Sequence, residues 1–204
     1  NVQGHKSRDR SIESIENIIR DNVKQGLSSF FISDDDFARN KNWESILDKF
    51  IELREVYKLK ISFTIQVDTL CYNLPGFIEK SGRAGVKRAF IGLENINPDS
   101  LLGASKRQNK ITDYRAMLLA WKKVGVITCC GYILGFPSDT QESILRDIEI
   151  IKKELPVDLL EFFYLTPFPG SEDHKKLHIA GVAMDEDLNM YDANHPVTAH
   201  PKMS

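Results

Sequence analysis

Behind Ser11, the apolar residues Ile12, Ile15, Ile18, Ile19 and Val23 recur at three- and four-residue spacing, and the run stops at Gly26. That periodicity, opened by a serine and closed by a glycine, predicts an amphipathic helix. Residues 27–33 are short, apolar and aromatic and close on Asp34, Asp35 and Asp36, the pattern of a buried strand running into a polar loop. The alternation then repeats. A helix near 42–57 precedes a strand at 60–66, and a helix around 74–81 with Gly82 and Gly85 precedes a strand at 88–93. A helix near 111–124, stopped by Gly125, precedes a strand at 127–134. A last long helix from about 140 to 154 precedes a strand at 158–165, and a short helix comes after Gly170.

Five strands starting near 27, 60, 88, 127 and 158 give a repeat of about 30 to 40 residues, which predicts right-handed crossovers and a parallel sheet. A doubly wound sheet and a part-barrel of the TIM type both satisfy this. Polar and glycine-rich residues gather after the strands, at 34–36, 66–68, 94–97 and 135–139. Both architectures bind ligands at that carboxyl edge. No G-x-G-x-x-G comes after any strand, which disfavours a dinucleotide fold. The expected class is therefore α/β, a partial TIM-type (β/α) barrel with parallel strands, over residues 1–184. Residues 185–204, with Asn, His and Pro and no clear period, are expected to pack on the outside or fray, as a tail or the start of a C-terminal extension.

Composition narrows the function classes. With 204 residues, 42% hydrophobic and 27% charged, the chain suits one domain. A net charge of -2 offers no basic footprint for nucleic acid or an anionic membrane. The longest apolar runs fall well short of the ~20 residues a membrane span needs. The first residues, Asn-Val-Gln-Gly-His-Lys, lack both an initiator Met and an apolar signal core. Cys71, Cys129 and Cys130 form no paired framework, which points to a reducing cytoplasm.

Three strand ends carry candidate chemistry. The fourth reads Gly131-Tyr132-Ile133-Leu134-Gly135-Phe136-Pro137-Ser138-Asp139-Thr140. Its glycines allow close approach of a ligand to the backbone, and Asp139 or Thr140 is placed to cap the next helix. A plain strand, turn and capped helix would read the same way. The fifth ends in Leu165-Thr166-Pro167-Phe168-Pro169-Gly170-Ser171, a stiff bend that serves equally as a rigid closure. The third ends in Gly92-Leu93-Glu94-Asn95, where a carboxylate can accept hydrogen bonds from sugar hydroxyls or simply be solvated.

In this order and on these strands, the three motifs resemble the radical S-adenosylmethionine (SAM) family. Gly131, Ile133 and Gly135 resemble its G-x-I-x-G strand beside the adenine, with Ser138 where the motif often has an acid. Glu94 stands where members place a polar contact to the ribose or methionine part of SAM. Asp34, Asp35 and Asp36 stand where a Gly-Gly-Glu-like segment meets the methionine amino group. Pro167 lies in a segment, 166–171, that looks like the one in members with an upstream cobalamin-binding domain. The resemblance implies a 4Fe-4S cluster and SAM as cofactors, with cobalamin in an upstream domain as a further possibility. It also implies an electron donor such as flavodoxin or ferredoxin and an unidentified small-molecule substrate.

The family's C-x-x-x-C-x-x-C does not occur in the chain, and cluster ligation needs three closely spaced thiolates. Residues 1–8 resemble the stretch directly after the third cysteine in family members, so the first strand and cluster loop are expected upstream. The chain by itself is expected to hold no cluster and be inactive. Lys106 and Arg107 are candidates for the SAM carboxylate, which Arg forks suit, or are solvated loop residues. Gln66 and Asp68 either face the barrel mouth or merely end a strand. Tyr132, Phe162 and Tyr164 read as core or barrel lining, and the histidines lack the spacing of a zinc site. Two other classes stay open: a TIM-like acid-base enzyme using Asp34, Asp35, Asp36 and Glu94, and a cofactor-free binding module.

Overall fold

A computed structural model of the chain describes residues 9–96 and 111–203. Helix α1, Ile12–Lys24, opens on Ser11, whose hydroxyl accepts from the amide of Ser14 at 3.2 Å. Next come β1 (Ser29–Phe31), α2 (Trp43–Glu55), β2 (Ser62–Asp68), α3 (Phe77–Ala84) and β3 (Val86–Glu94). After the undescribed residues come α4 (Ile111–Lys123), β4 (Ile127–Leu134), α5 (Gln141–Glu154), β5 (Leu159–Tyr164) and α6 (Glu172–Ile179).

The five strands are all parallel and lie in the sheet in chain order, β1 to β5. A doubly wound sheet reverses its strand order at a switch point. Unreversed order instead curls the sheet into a half-barrel, as the sequence pattern led us to expect. Side chains alternate across each strand, so one set faces the helices and the other faces the hollow. Phe63, Ile65, Val67, Ala89, Ile91, Leu93, Cys130 and Tyr132 form the helix-side set and join the core with Leu47, Phe50 and Leu53 of α2 and Met117, Leu118 and Trp121 of α4. Phe50 stacks flat on Phe63 at 3.9 Å between ring centres.

Local chemistry explains where elements start and stop. Thr140 accepts from the amide of Ser143 while the Ser143 hydroxyl receives the Thr140 amide, a reciprocal box that opens α5. Strand β2 runs two residues beyond the expected end because Asp68 is its last member and its carboxylate accepts from the amide of Leu70, starting the short 3-10 turn Thr69–Asn73. Helix α3 consequently begins later than expected, behind Gly76 in the left-handed region. Residues 185–203 lie along the sheet's β5 side: Ala193 accepts from the amide of Tyr164 at 2.7 Å, Val197 is buried, and the His200 ring lies 2.8 Å from the carbonyl of Phe136. Phe162 and Tyr164, expected as lining, are 41% and 42% exposed, because β5 is an edge strand. No helix among the described residues is long and apolar enough to cross a membrane.

Candidate functional site

The concave face is built in rows set by the parallel register. Gln66, Phe90, Cys129 and Leu159 make one row, and Asp68, Gly92, Gly131 and Glu161 the next toward the carboxyl edge. Ile133 and Phe163 pair in the row beyond. Two glycines therefore lie side by side in the middle of a sheet, where their missing side chains leave a recess. A Cβ on Gly131 would stand 3.1 Å from Phe90 Cζ and 3.3 Å from Phe163 Cε2, so two aromatic rings wall the recess. A Cβ on Gly92 would stand 3.0 Å from Glu94 Oε1, which places that carboxylate directly over the floor. A flat group can approach the backbone here, between aromatic walls and under a hydrogen-bond acceptor.

The turn after β4 is fixed by a buried carboxylate. Asp139 Oδ2 accepts from the amides of Gly135 and Phe136 at 3.0 and 2.9 Å, and Gly135 takes the left-handed conformation, φ +94°. Asp139 thus caps the loop, while Thr140 caps the helix. Asp139→Ala strips two buried amides of their acceptor. It should lower unfolding free energy by about 1–3 kcal/mol, read as a shifted urea midpoint.

At the far side of the carboxyl edge, Arg39 bridges two carboxylates, with Nε 2.8 Å from Asp36 Oδ2 and Nη2 2.6 Å from Asp68 Oδ2. Burial, and next the charge of Asp68, push the Asp36 carboxyl above its ordinary range, and its second oxygen, Oδ1, is buried with no hydrogen-bond partner in the structure. Asp34 is engaged locally, accepting from Asn40 Nδ2 at 2.8 Å and the Asp36 amide at 3.3 Å, and Asp35 is exposed. Gln66 is half-buried on the concave face. Pro167 is buried just past β5, where the Leu165 amide still donates to the Leu134 carbonyl. Arg107, Lys106 and residues 1–8 lie outside the described residues.

The three thiols fit no shared metal site. Cys71 is buried in the helix layer and Cys130 in the core, and burial raises the thiol pKa of each to about 12. Cys129 faces the hollow, 2.9 Å from Glu161 Oε1, and is pushed up to about 11 by burial and that carboxylate. A 4Fe-4S cluster needs three thiolates converging on one loop, so these residues do not fit one. The glycine recess, in contrast, has the shape for a flat ring: a Cβ at Gly131 or Gly92 would fill it, and the Glu94 carboxylate lies beside it.

The sequence model of the Radical SAM superfamily matches residues 2–151, well over half of the chain. The chain belongs to the radical SAM superfamily. Among related sequences, the bacteriochlorophyllide d C-12(1)-methyltransferase of Chlorobaculum tepidum is 31% identical over 126 residues, 60% of this chain and 27% of that protein. The C-8(2)-methyltransferase of the same organism is 26% identical over 182 residues, 86% of this chain and 38% of that protein. The chain thus spans roughly a third of the length of these relatives. Among solved structures, the radical SAM methyltransferase TsrM from Kitasatospora setae, with cobalamin and a 4Fe-4S cluster bound, superposes with a TM-score of 0.66 at 15% identity, covering 76% of this chain and 31% of that one. At that identity the likeness speaks for the fold.

For this radical SAM chain, sequence reasoning missed three features of the site. Arg39 gave no signal, because one partner, Asp36, lies three residues back in the loop and the other, Asp68, ends β2, 29 residues away. Gly92 was visible only as part of the Glu94 motif, since its register with Gly131 exists only in the sheet. The left-handed backbone of Glu94, φ 64°, has no sequence signature for a residue of that type.

Proposed function

We propose that the whole protein is a radical SAM methyltransferase working with cobalamin, and that this chain supplies the barrel wall on which SAM lies. The observation that carries the reading is the paired-glycine floor of Gly92 and Gly131 under Glu94, at the carboxyl edge of a half-barrel of this family. The methyltransferase names of the relatives, and the fold shared with a cobalamin-bound methyltransferase, support methyl transfer within the family's range.

SAM bound here beside a cluster held by other residues would, on one-electron reduction with loss of methionine, supply the chemistry of hydrogen-atom abstraction from carbon. What this chain contributes is binding, orientation and exclusion of water. Gly131, Ile133 and Gly135 offer the adenine a flat wall, with Phe90 and Phe163 beside it. Glu94 accepts from the ribose hydroxyls. Asp36, steadied by Arg39, which also holds the carboxylate of Asp68, offers its free oxygen to the methionine ammonium group, with Asp34 shaping the loop and Asp35 at its exposed side. Gln66 faces the substrate side of the hollow, Pro167 stiffens the opposite rim, and Arg107 is assigned to the SAM carboxylate. Cluster cysteines come from another part of the whole protein, and a low-potential donor such as flavodoxin or ferredoxin delivers the electron. A cytoplasmic location suits both.

The test is the ratio of products. The whole protein, reconstituted anaerobically with iron, sulfide and cobalamin and then reduced, is expected to retain cobalamin through gel filtration. It should form both S-adenosylhomocysteine and 5'-deoxyadenosine, one for charging cobalamin and one for hydrogen abstraction. 5'-Deoxyadenosine alone, with no cobalamin retained, would replace methyl transfer by another radical reaction.

A further inference from the structure

Strand β3 ends abnormally. Its register with β4 slips between Gly92 and Glu94, and Glu94 then takes φ 64°. The Asn95 amide donates to the Leu93 carbonyl at 2.9 Å, two residues back. A three-residue turn closed by such a bond around a positive φ is the rare and strained form of γ-turn. Glycine or asparagine would occupy it at lower cost, yet the central residue is a glutamate. Strain of this kind persists only where the surroundings over-determine it, and it gathers at functional sites.

The surroundings are a polar network on the side of the sheet away from the hollow. Asn95 is 1% exposed. Its Nδ2 donates to the Ile133 carbonyl at 3.3 Å, and its own carbonyl receives the Tyr114 hydroxyl at 3.4 Å. The hydroxyl of Tyr132, a fully buried residue, stands 3.2 Å from Asn95 Oδ1 and 3.3 Å from Asp147 Oδ2. The hydroxyl has one proton to donate to these two acceptors; burial pushes the Asp147 carboxyl above its ordinary range, and a protonated Asp147 donates in return, so that one hydroxyl ties the last residue of the turn to α5. Tyr132 belongs to the helix-side set, so neither it nor Asp147 reaches a ligand in the hollow. What they reach is the backbone that carries Glu94.

We infer that Asn95, Tyr132 and Asp147 are positioning residues that hold the strained turn at Glu94, and so keep its carboxylate over the Gly92 and Gly131 floor. The inference rests on the reading that Glu94 contacts SAM. Without the network the turn relaxes to an ordinary strand end; Glu94, two residues on from Gly92, would keep the same face but stand about 6–7 Å further along the strand, so its carboxylate would leave the floor.

Tyr132→Phe removes one oxygen and leaves the buried ring. In the whole protein, reconstituted, this variant should weaken SAM affinity about tenfold by equilibrium dialysis, the scale of one well-placed hydrogen bond, with KM raised and kcat nearly unchanged. Hydrogen exchange on the same variant, without cofactors, should be faster at the Asn95 amide and unchanged at Phe63 in β2. Ile19→Val on α1 serves as a mild destabilisation far from the turn. A Tyr132→Phe protein with wild-type SAM affinity, or one no different from Ile19→Val, overturns the inference and leaves the functional reading standing. If the wild-type whole protein binds no SAM, the functional reading fails and takes the ligand part of the inference with it. The Asn95 exchange rate then decides whether the network holds the turn.

Discussion

Gly131→Val should fold and yet lose SAM. A Cβ at this position meets Phe90 Cζ at 3.1 Å and Phe163 Cε2 at 3.3 Å, tight contacts with ring edges on the open side of the sheet. Those rings can shift, so the cost in stability stays within the ~1–3 kcal/mol typical of overpacking. The recess cannot be recovered. Two methyl groups would stand where a flat base must reach the backbone, and SAM affinity in the reconstituted whole protein should fall by about 100-fold, about 2.7 kcal/mol. Gly131→Ala, with one carbon added, should fall between the two. Equilibrium dialysis with labelled SAM, beside urea unfolding of the same samples, separates the effects. Wild-type affinity in a folded Gly131→Val protein would mean that SAM lies elsewhere.

Phe77→Ala should be the most damaging single change to stability. Phe77 is fully buried at the start of α3, and its ring lies 6.1 Å from Phe37, 5.1 Å from Trp43 and 6.1 Å from Trp121. It joins α3 to α2, to α4 and to the turn just after Asp36. Truncation removes the contacts of three neighbours at once and leaves a cavity that four elements would have to close. Phenylalanine-to-alanine changes of this type cost about 3–5 kcal/mol, a large share of the ~5–15 kcal/mol holding a typical domain together. Denaturant unfolding of the chain should show a lower midpoint with an unchanged slope. A loss below about 1 kcal/mol would show that the aromatic cluster relaxes freely, against the close packing expected of an interior.

How far the sequence carried depended on whether the deciding interaction was local. Strand β4 matched its expected bounds because glycine punctuates both ends and the run between is apolar. The α5 start was legible for the same reason, since Thr140 and Ser143 lie three residues apart and cap each other. The roles of Asp139 and Thr140 could not be divided in advance, because both are good caps and only the turn geometry gave one to the loop. Strand β1 pairs over only three residues, Ser29–Phe31, against the seven expected, because it sits at the edge of the sheet with one partner.

The site was legible as a set of strand ends, not as an arrangement. Gly131 and Glu94 stand out as residue types, but their meeting requires the β3 to β4 register and the slip that turns Glu94 back over Gly92. The acidic run at Asp34, Asp35 and Asp36 reads as three equal candidates, whereas the fold gives each a different part. Asp34 shapes the loop, Asp35 faces solvent, and Asp36 alone keeps a buried oxygen free beside Arg39. The loop's conformation decided these roles, through bonds within six residues at Asp34 and Asp36 and through Arg39 reaching Asp68 29 residues away, and residue types alone do not encode it.

The most direct test of SAM cleavage on this barrel wall is 5'-deoxyadenosine formation by the whole protein, reconstituted anaerobically with iron and sulfide, with and without reductant, in the wild type and in Gly131→Val. The expected result is reductant-dependent 5'-deoxyadenosine from the wild type and its loss at limiting SAM in the variant, with the cluster spectrum of both unchanged. A folded, cluster-loaded wild type that makes no 5'-deoxyadenosine would contradict it.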